Sequence, residues 1–65
     1  MVDGRKIRAE RELLGLTQVE LSEKTLIAQP HISAYEKCIK QPSVGHLGGI
    51  AKALGKPMDY FMLEL

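Results

Sequence analysis

Three side chains in this chain of 65 residues could ligate a metal or exchange protons near neutrality: His31, Cys38 and His46. Their separations match no zinc spacing, so no metal site is expected. There is no paired-carboxylate, nucleophile–base or phosphate-loop arrangement with a recognisable spacing either, which argues against an enzyme and against any cofactor. The informative polar residues stand in "AQPHISAYE", Ala28 to Glu36. There Gln29 and His31 come where a helix would begin, while Ile32 and Tyr35 fall on an inward face. An amide that both donates and accepts, beside an imidazole at a helix start, is equipment for recognition and not for bond breaking.

Composition bounds what such a helix can belong to. A chain of this length is expected to form one domain, residues 1–65, and to bury only about 60% of its unfolded surface. With 45% hydrophobic and 26% charged residues it reads as an ordinary globular protein. A net charge of +1 favours no partner by itself. Placement says more: Arg5, Lys6, Arg8 and Arg11 gather near the start, Lys37 and Lys40 follow the reading stretch, and no acidic residue lies between Thr25 and Tyr35. No apolar run approaches the roughly 20 residues of a membrane span. The charged start "MVDGRKIRAERE" lacks a signal peptide's apolar core, and a lone cysteine excludes an internal disulfide framework. The cytoplasm is the expected location.

The elements that must position these residues are short and helical, since no segment alternates as a strand would. Ile7 and Leu14 define one face of a first helix, about Gly4 to Leu14, which Gly15 can end in the left-handed conformation. In "LTQVE", Thr17 can cap the Glu20 amide while Glu20 reaches back, and Leu16 and Leu21 form the matching staple. Helix two is expected from about Gln18 to Lys24. Helix three follows after so tight a turn that the two must cross steeply. Its inward residues are Ile32, Tyr35 and Ile39. A proline pushes the preceding residue out of the helical region and is best placed in a first turn. Helix three is therefore expected to begin at Pro30, with Gln29 extended. Ser43 caps a fourth helix carrying Leu47, Ile50, Ala51 and Leu54, and a fifth is expected over Pro57 to Met62.

Gly15-Leu16-Thr17-Gln18, Leu21, Ile32-Ser33, Glu36, Pro42-Ser43 and Ile50 to Gly55 together resemble the Cro and phage-repressor (lambda repressor-like) helix-turn-helix DNA-binding family, over nearly the whole chain. The resemblance implies an all-α, compact five-helix domain, with helices two and three as the helix-turn-helix and helix three in the major groove. It implies a transcriptional regulator, most simply a repressor that binds double-stranded DNA at a near-palindromic operator as a homodimer. A protein-interaction module of the same fold, such as an antitoxin or adaptor, is the alternative.

Residue by residue, the resemblance makes Gln29 a base contact, since a glutamine amide can pair with adenine in two places, and adds Pro30, Ser33 and Ala34. Gln18, His31, Lys37 and Lys40 are implied contacts to the DNA backbone. Arg11 and Glu36 match a structural ion pair. Tyr60 and Phe61 match core positions, leaving Met58, Met62, Leu63 and Leu65 for a dimer interface. Four departures from the family pattern carry expectations of their own. Ser22 replaces a small apolar residue, and its hydroxyl must find a backbone carbonyl. Leu26 replaces the turn glycine and must be left-handed or reshape the turn. Cys38 stands where glycine or asparagine would end helix three, and is read as structural or incidental and not as a reactive thiol. Gly48 and Gly49, inside helix four, suggest close packing against another helix.

Overall fold

The computed structural model describes residues 1–64. Four α-helices, α1 (Gly4–Leu13), α2 (Gln18–Thr25), α3 (Gln29–Glu36) and α4 (Val44–Leu54), are followed by a single 3-10 turn over Met58–Phe61. The all-helical class stands, but the fifth helix is corrected to that short turn. Its continuation is ruled out by what comes next: Met62 returns to extended backbone (ψ 146°) and bridges antiparallel to Val2.

Local chemistry sets the helix ends. Asp3 caps α1 by accepting from the Arg5 amide. Thr17 and Glu20 complete the expected capping box on α2, at 3.1 and 2.8 Å, and Ser43 accepts from the His46 amide at the start of α4. Gly15 and Gly55 take the left-handed conformation that turns the chain after α1 and α4. Leu26 does the same between α2 and α3 with φ 58°, so the turn keeps its shape with a side chain where glycine would be free of strain. Cys38, at φ 60°, ends the α3 region in the same way.

Helix three differs from expectation by one residue. Gln29 is already helical, and Ala28 is the extended flanking residue (φ −57°, ψ 137°). Pro30 then occupies the second position, where a helix offers the N–H no partner in any case. The His31 and Ile32 amides both turn back to the Ala28 carbonyl, at 2.9 and 3.3 Å.

Eleven residues make the core, with Ile7, Leu21, Ile32, Ile50 and Phe61 wholly enclosed. Leu16 packs against this cluster as the staple requires. Leu14 and Ile39 do not, being exposed by 52% and 72%. Each lies at or just beyond a helix end, where the left-handed Gly15 or Cys38 turns the chain away from the inward face. Tyr60 is also 40% exposed; its ring packs edge-on to Phe61 and its hydroxyl donates to Glu10 at 2.8 Å. Val2 and Ile27 join the core from outside the helices. Val2 is held by Gln41, whose side chain accepts from its amide and donates to its carbonyl, while the Asp3 amide donates to the Phe61 carbonyl at 2.7 Å. The first residues are thereby tied to Gln41 and to the 3-10 turn.

The glycine of close approach is Gly4. A Cβ there would stand 1.8 Å from the Tyr35 carbonyl oxygen, so α1 starts directly against the last turn of α3. At Gly49 an added Cβ meets nothing within 4 Å, and at Gly48 only the Met58 sulfur at 3.7 Å. The expected tight packing of that pair is thus corrected to ordinary contact.

Candidate nucleic-acid interface

A hydrogen-bonded chain of four side chains links the core to the exposed start of α3. At its buried end Arg11 and Glu36 form a two-pronged ion pair, Nε to Oε2 at 2.6 Å and Nη2 to Oε1 at 2.9 Å. Side-chain exposure is 10% for Arg11 and 3% for Glu36. The remaining Arg11 nitrogen donates to the Leu16 carbonyl at 2.8 Å, which anchors the loop before α2. The Glu36 hydrogen bond holds the Arg11 guanidinium above its ordinary pKa, against the opposing effect of burial. Such a pair positions more than it stabilises, since taking two charges out of water offsets most of their attraction.

From Glu36 the chain continues outward. Gln18 donates through Nε2 to Glu36 Oε1 at 3.0 Å, and Gln29 donates through Nε2 to Gln18 Oε1 at 2.8 Å. The polarity follows from the buried carboxylate. An ionised Glu36 only accepts, so Gln18 must turn its amide nitrogen inward and its oxygen outward. Gln29 must then spend one N–H on Gln18, which leaves its other N–H and its oxygen directed to solvent. A donor beside an acceptor is the pattern that pairs with the N7 and N6 groups of adenine.

Gln29, Pro30, Ser33 and Ala34 lie on the side of α3 away from the buried Ile32 and Tyr35, with Gln29 and Pro30 exposed and the other two half-buried. Ser33 also lines a polar cleft with Gln18, Lys37, Arg8 and the ion pair. His31 is exposed in the first turn, and Lys40 is exposed beyond α3. The basic residues of α1 are less available than their clustering suggests. Arg5 pairs with Asp3, Lys6 approaches Glu64 at 3.6 Å, Arg8 reaches Glu12, and Arg11 is buried on Glu36. Lys37 and Lys40 join none of the ion pairs formed among the described residues.

The turn is supported from inside, because the Ser22 hydroxyl donates to the Ile27 carbonyl at 2.5 Å, as its polarity demanded. Sequence inspection missed two features. One is the role of Glu36 toward Gln18, and the other is a hydrogen bond between the Tyr35 hydroxyl and His46 Nδ1 at 2.7 Å. The second joins α3 to α4 and has no signal in the spacing along the chain. Of the residues expected at a dimer interface, Met58, Met62 and Leu63 are between 37% and 40% exposed. Leu65 lies outside the described residues.

This fold and this polar helix start define a class. Residues 7–61 match the helix-turn-helix family, and the chain belongs to that family of Cro- and phage-repressor-type domains. It is a family of DNA-binding transcription regulators and not of enzymes. The chain is 40% identical over 58 residues to an uncharacterized HTH-type transcriptional regulator of Rickettsia conorii, covering 89% of this chain and 46% of that protein. It spans about half the length of three of the curated relatives it matches. Among solved structures, the P22 c2 repressor in complex with synthetic operator 9T is similar, with a TM-score of 0.89 and 29% identity. That likeness covers 95% of this chain and 94% of the repressor chain. SinR, a master regulator for biofilm formation, solved in complex with DNA, has a TM-score of 0.85 and 25% identity, covering 89% of this chain and 94% of its own.

Proposed function

We propose that this chain binds double-stranded DNA sequence-specifically, with α3 in the major groove, and acts as a transcriptional repressor. The observation that carries the proposal is the chain of side chains from Arg11 to Gln29. It holds a donor–acceptor pair at the exposed start of α3, backed by a buried ion pair that keeps α1, α2 and α3 in fixed relation. Base readout falls to Gln29, with Pro30, Ser33 and Ala34 beside it. Contacts to the DNA backbone fall to Gln18, His31, Lys37 and Lys40, which position the helix without reading sequence. The operator complex of the P22 c2 repressor, a similar chain, supports this assignment.

Two copies are expected on the DNA. One reading helix buries little surface, whereas a two-fold pair doubles its contacts and places the two α3 starts about 34 Å apart, one turn of the duplex. An apolar groove lined by Met1, Val44, Leu47, Met58 and Met62 supplies the pairing surface, and Leu63 lines a second groove that shares Met1, Val2 and Gln41 with it. Selection of bound duplexes from a random pool tests the whole proposal. The expected product is a near-palindrome with half-site centres about one turn apart. Recovery of sequences with no shared element would overturn specific binding and leave an interaction module of the same fold in its place.

A further inference from the structure

His31 and His46 belong to different helices, yet their ring centroids lie 6.3 Å apart. Each occupies the third position of its helix, counted from Gln29 in α3 and Val44 in α4. Tyr35, buried in the core, completes a nearly equilateral triangle with them, its ring centroid 6.4 Å from His31 and 6.0 Å from His46. Its hydroxyl is bonded to His46 Nδ1 at 2.7 Å, so the half-buried His46 ring is held in one orientation. That bond leaves Nε2 as the uncommitted nitrogen. No buried side-chain nitrogen or oxygen among the described residues lacks a partner, so His46 Nε2 reaches solvent. His31 is exposed, and its ring makes no hydrogen bond to any described residue.

We propose that His31 and His46 together hold one phosphate of bound DNA, with Tyr35 as the positioning residue that aims His46. This rests on the DNA-binding proposal above and adds α4 to the interface. Two imidazolium rings at this separation repel each other in the free protein, and a single phosphate between them removes that repulsion. Charge-assisted N–H···O bonds of about 2.7–2.9 Å from each ring can be bridged by one tetrahedral anion. Because His46 is tied to Tyr35 through Nδ1, it can present Nε2–H to the anion in either protonation state. Its charge decides how strongly it does so. A charged ring holds the phosphate more strongly than a neutral one, so DNA binding takes up protons and affinity rises as pH falls.

The charged groups around the pair do not oppose this assignment. From α3 the facing titratable group is Tyr35, and from α2 Lys24 lines a groove further along α4 with Lys52. The buried charges of α1, Glu10 and Arg11, are engaged by Tyr60 and Glu36. Asp59 of the 3-10 turn lines the apolar groove beside Val44 and Leu47. None of the ion pairs among the described residues includes either histidine.

A phosphate contact is blind to sequence, so a labelled duplex of mixed sequence at low salt serves as the probe. Affinity is measured at about pH 6 and about pH 8, either side of the histidine range, across a salt series. The wild-type protein is expected to bind up to roughly tenfold tighter at the lower pH, the factor that one unit of pKa shift represents. His31→Ala and His46→Ala should each remove most of that gain. Each should also lower the slope of log affinity against log salt by up to about 1 at the lower pH only. Tyr35→Phe keeps the buried ring, and should reduce the pH effect while melting shows the domain folded. Loss of affinity by the same factor at both pH values would mean that His46 is merely structural. An unchanged pH profile in both alanine variants would overturn the shared phosphate while leaving the DNA-binding proposal intact. No binding of the mixed duplex by the wild-type protein would overturn both.

Discussion

Glu36 is one carboxylate with two tasks, and the tasks are separable by measurement. It neutralises Arg11 and it orients Gln18. Removing it leaves a buried guanidinium without its counter-charge, so Glu36→Ala is expected to destabilise the domain by about 3–5 kcal/mol. Chemical denaturation showing a change near zero would mean that water or another acceptor replaces the carboxylate. Gln29 stands at the other end of the same chain, is exposed, and carries little of the fold. Gln29→Ala should leave the melting temperature nearly unchanged and weaken binding by about 1–3 kcal/mol on the preferred site, mostly at one base position. Equal weakening on every duplex would make Gln29 a backbone contact instead.

At the scale of elements, the helix starts and the contacts between helices carry the predictions. Gly4 and Gly49 are both helical glycines with opposite surroundings. Gly4→Ala forces a methyl into the Tyr35 carbonyl, and the α1–α3 junction must open; overpacking of this kind costs about 1–3 kcal/mol or more. Gly49→Ala enters open space and should stabilise α4 by about 1 kcal/mol through helix propensity alone. Thermal melts that rank the two variants in the reverse order would contradict the packing described for both. Asp3 supplies a dependence on pH. The Arg5 side-chain hydrogen bond, chiefly, holds its carboxyl below the ordinary value of 3.8. A depressed folded pKa means stability that is present above the unfolded value and lost as pH falls through the folded one. Asp3→Asn keeps a cap but loses the titration, so its melting temperature should fall less steeply than the wild type's on acidification below about pH 4. Parallel acid profiles would place the titration elsewhere.

For the molecule as a whole, the segments near the two ends of the chain close the fold and carry the proposed pairing surface. Val2 bridges Met62, and the Leu63 amide donates to the Met1 carbonyl at 2.7 Å, so the segment proposed for the dimer is itself anchored by the first residues. The apolar groove beside it is therefore a preformed surface. Leu63→Glu keeps the backbone bonds and adds a charge to the adjoining groove that Leu63 lines, which shares Met1 and Val2 with that surface. It is expected to lower the melting temperature little and to shift the protein toward monomer in sedimentation. Its binding to a near-palindromic site should weaken far more than its binding to a half-site. A folded Leu63→Glu protein that remains dimeric would move the interface to another face.

What the sequence determined by itself was whatever depends on neighbours along the chain. The Thr17–Glu20 capping box, the Ser43 cap, the left-handed Gly15 and the inward faces of α2 and α4 are set within a few residues, where propensity and spacing act directly. The family resemblance likewise singled out Gln18, Gln29 and the Arg11–Glu36 pair one by one, but not the hydrogen bonds that join them. Tertiary structure decided what depends on distant partners. The last segment became a 3-10 turn because Met62 meets Val2, and Leu14 and Ile39 left the core because left-handed turns redirect the chain around them. The need for glycine at position 4 comes from a carbonyl 31 residues away, and the Tyr35–His46 bond joins two helices whose spacing along the chain predicts nothing. Local backbone preferences extend only a few residues, whereas close packing and hydrogen-bond satisfaction act through space.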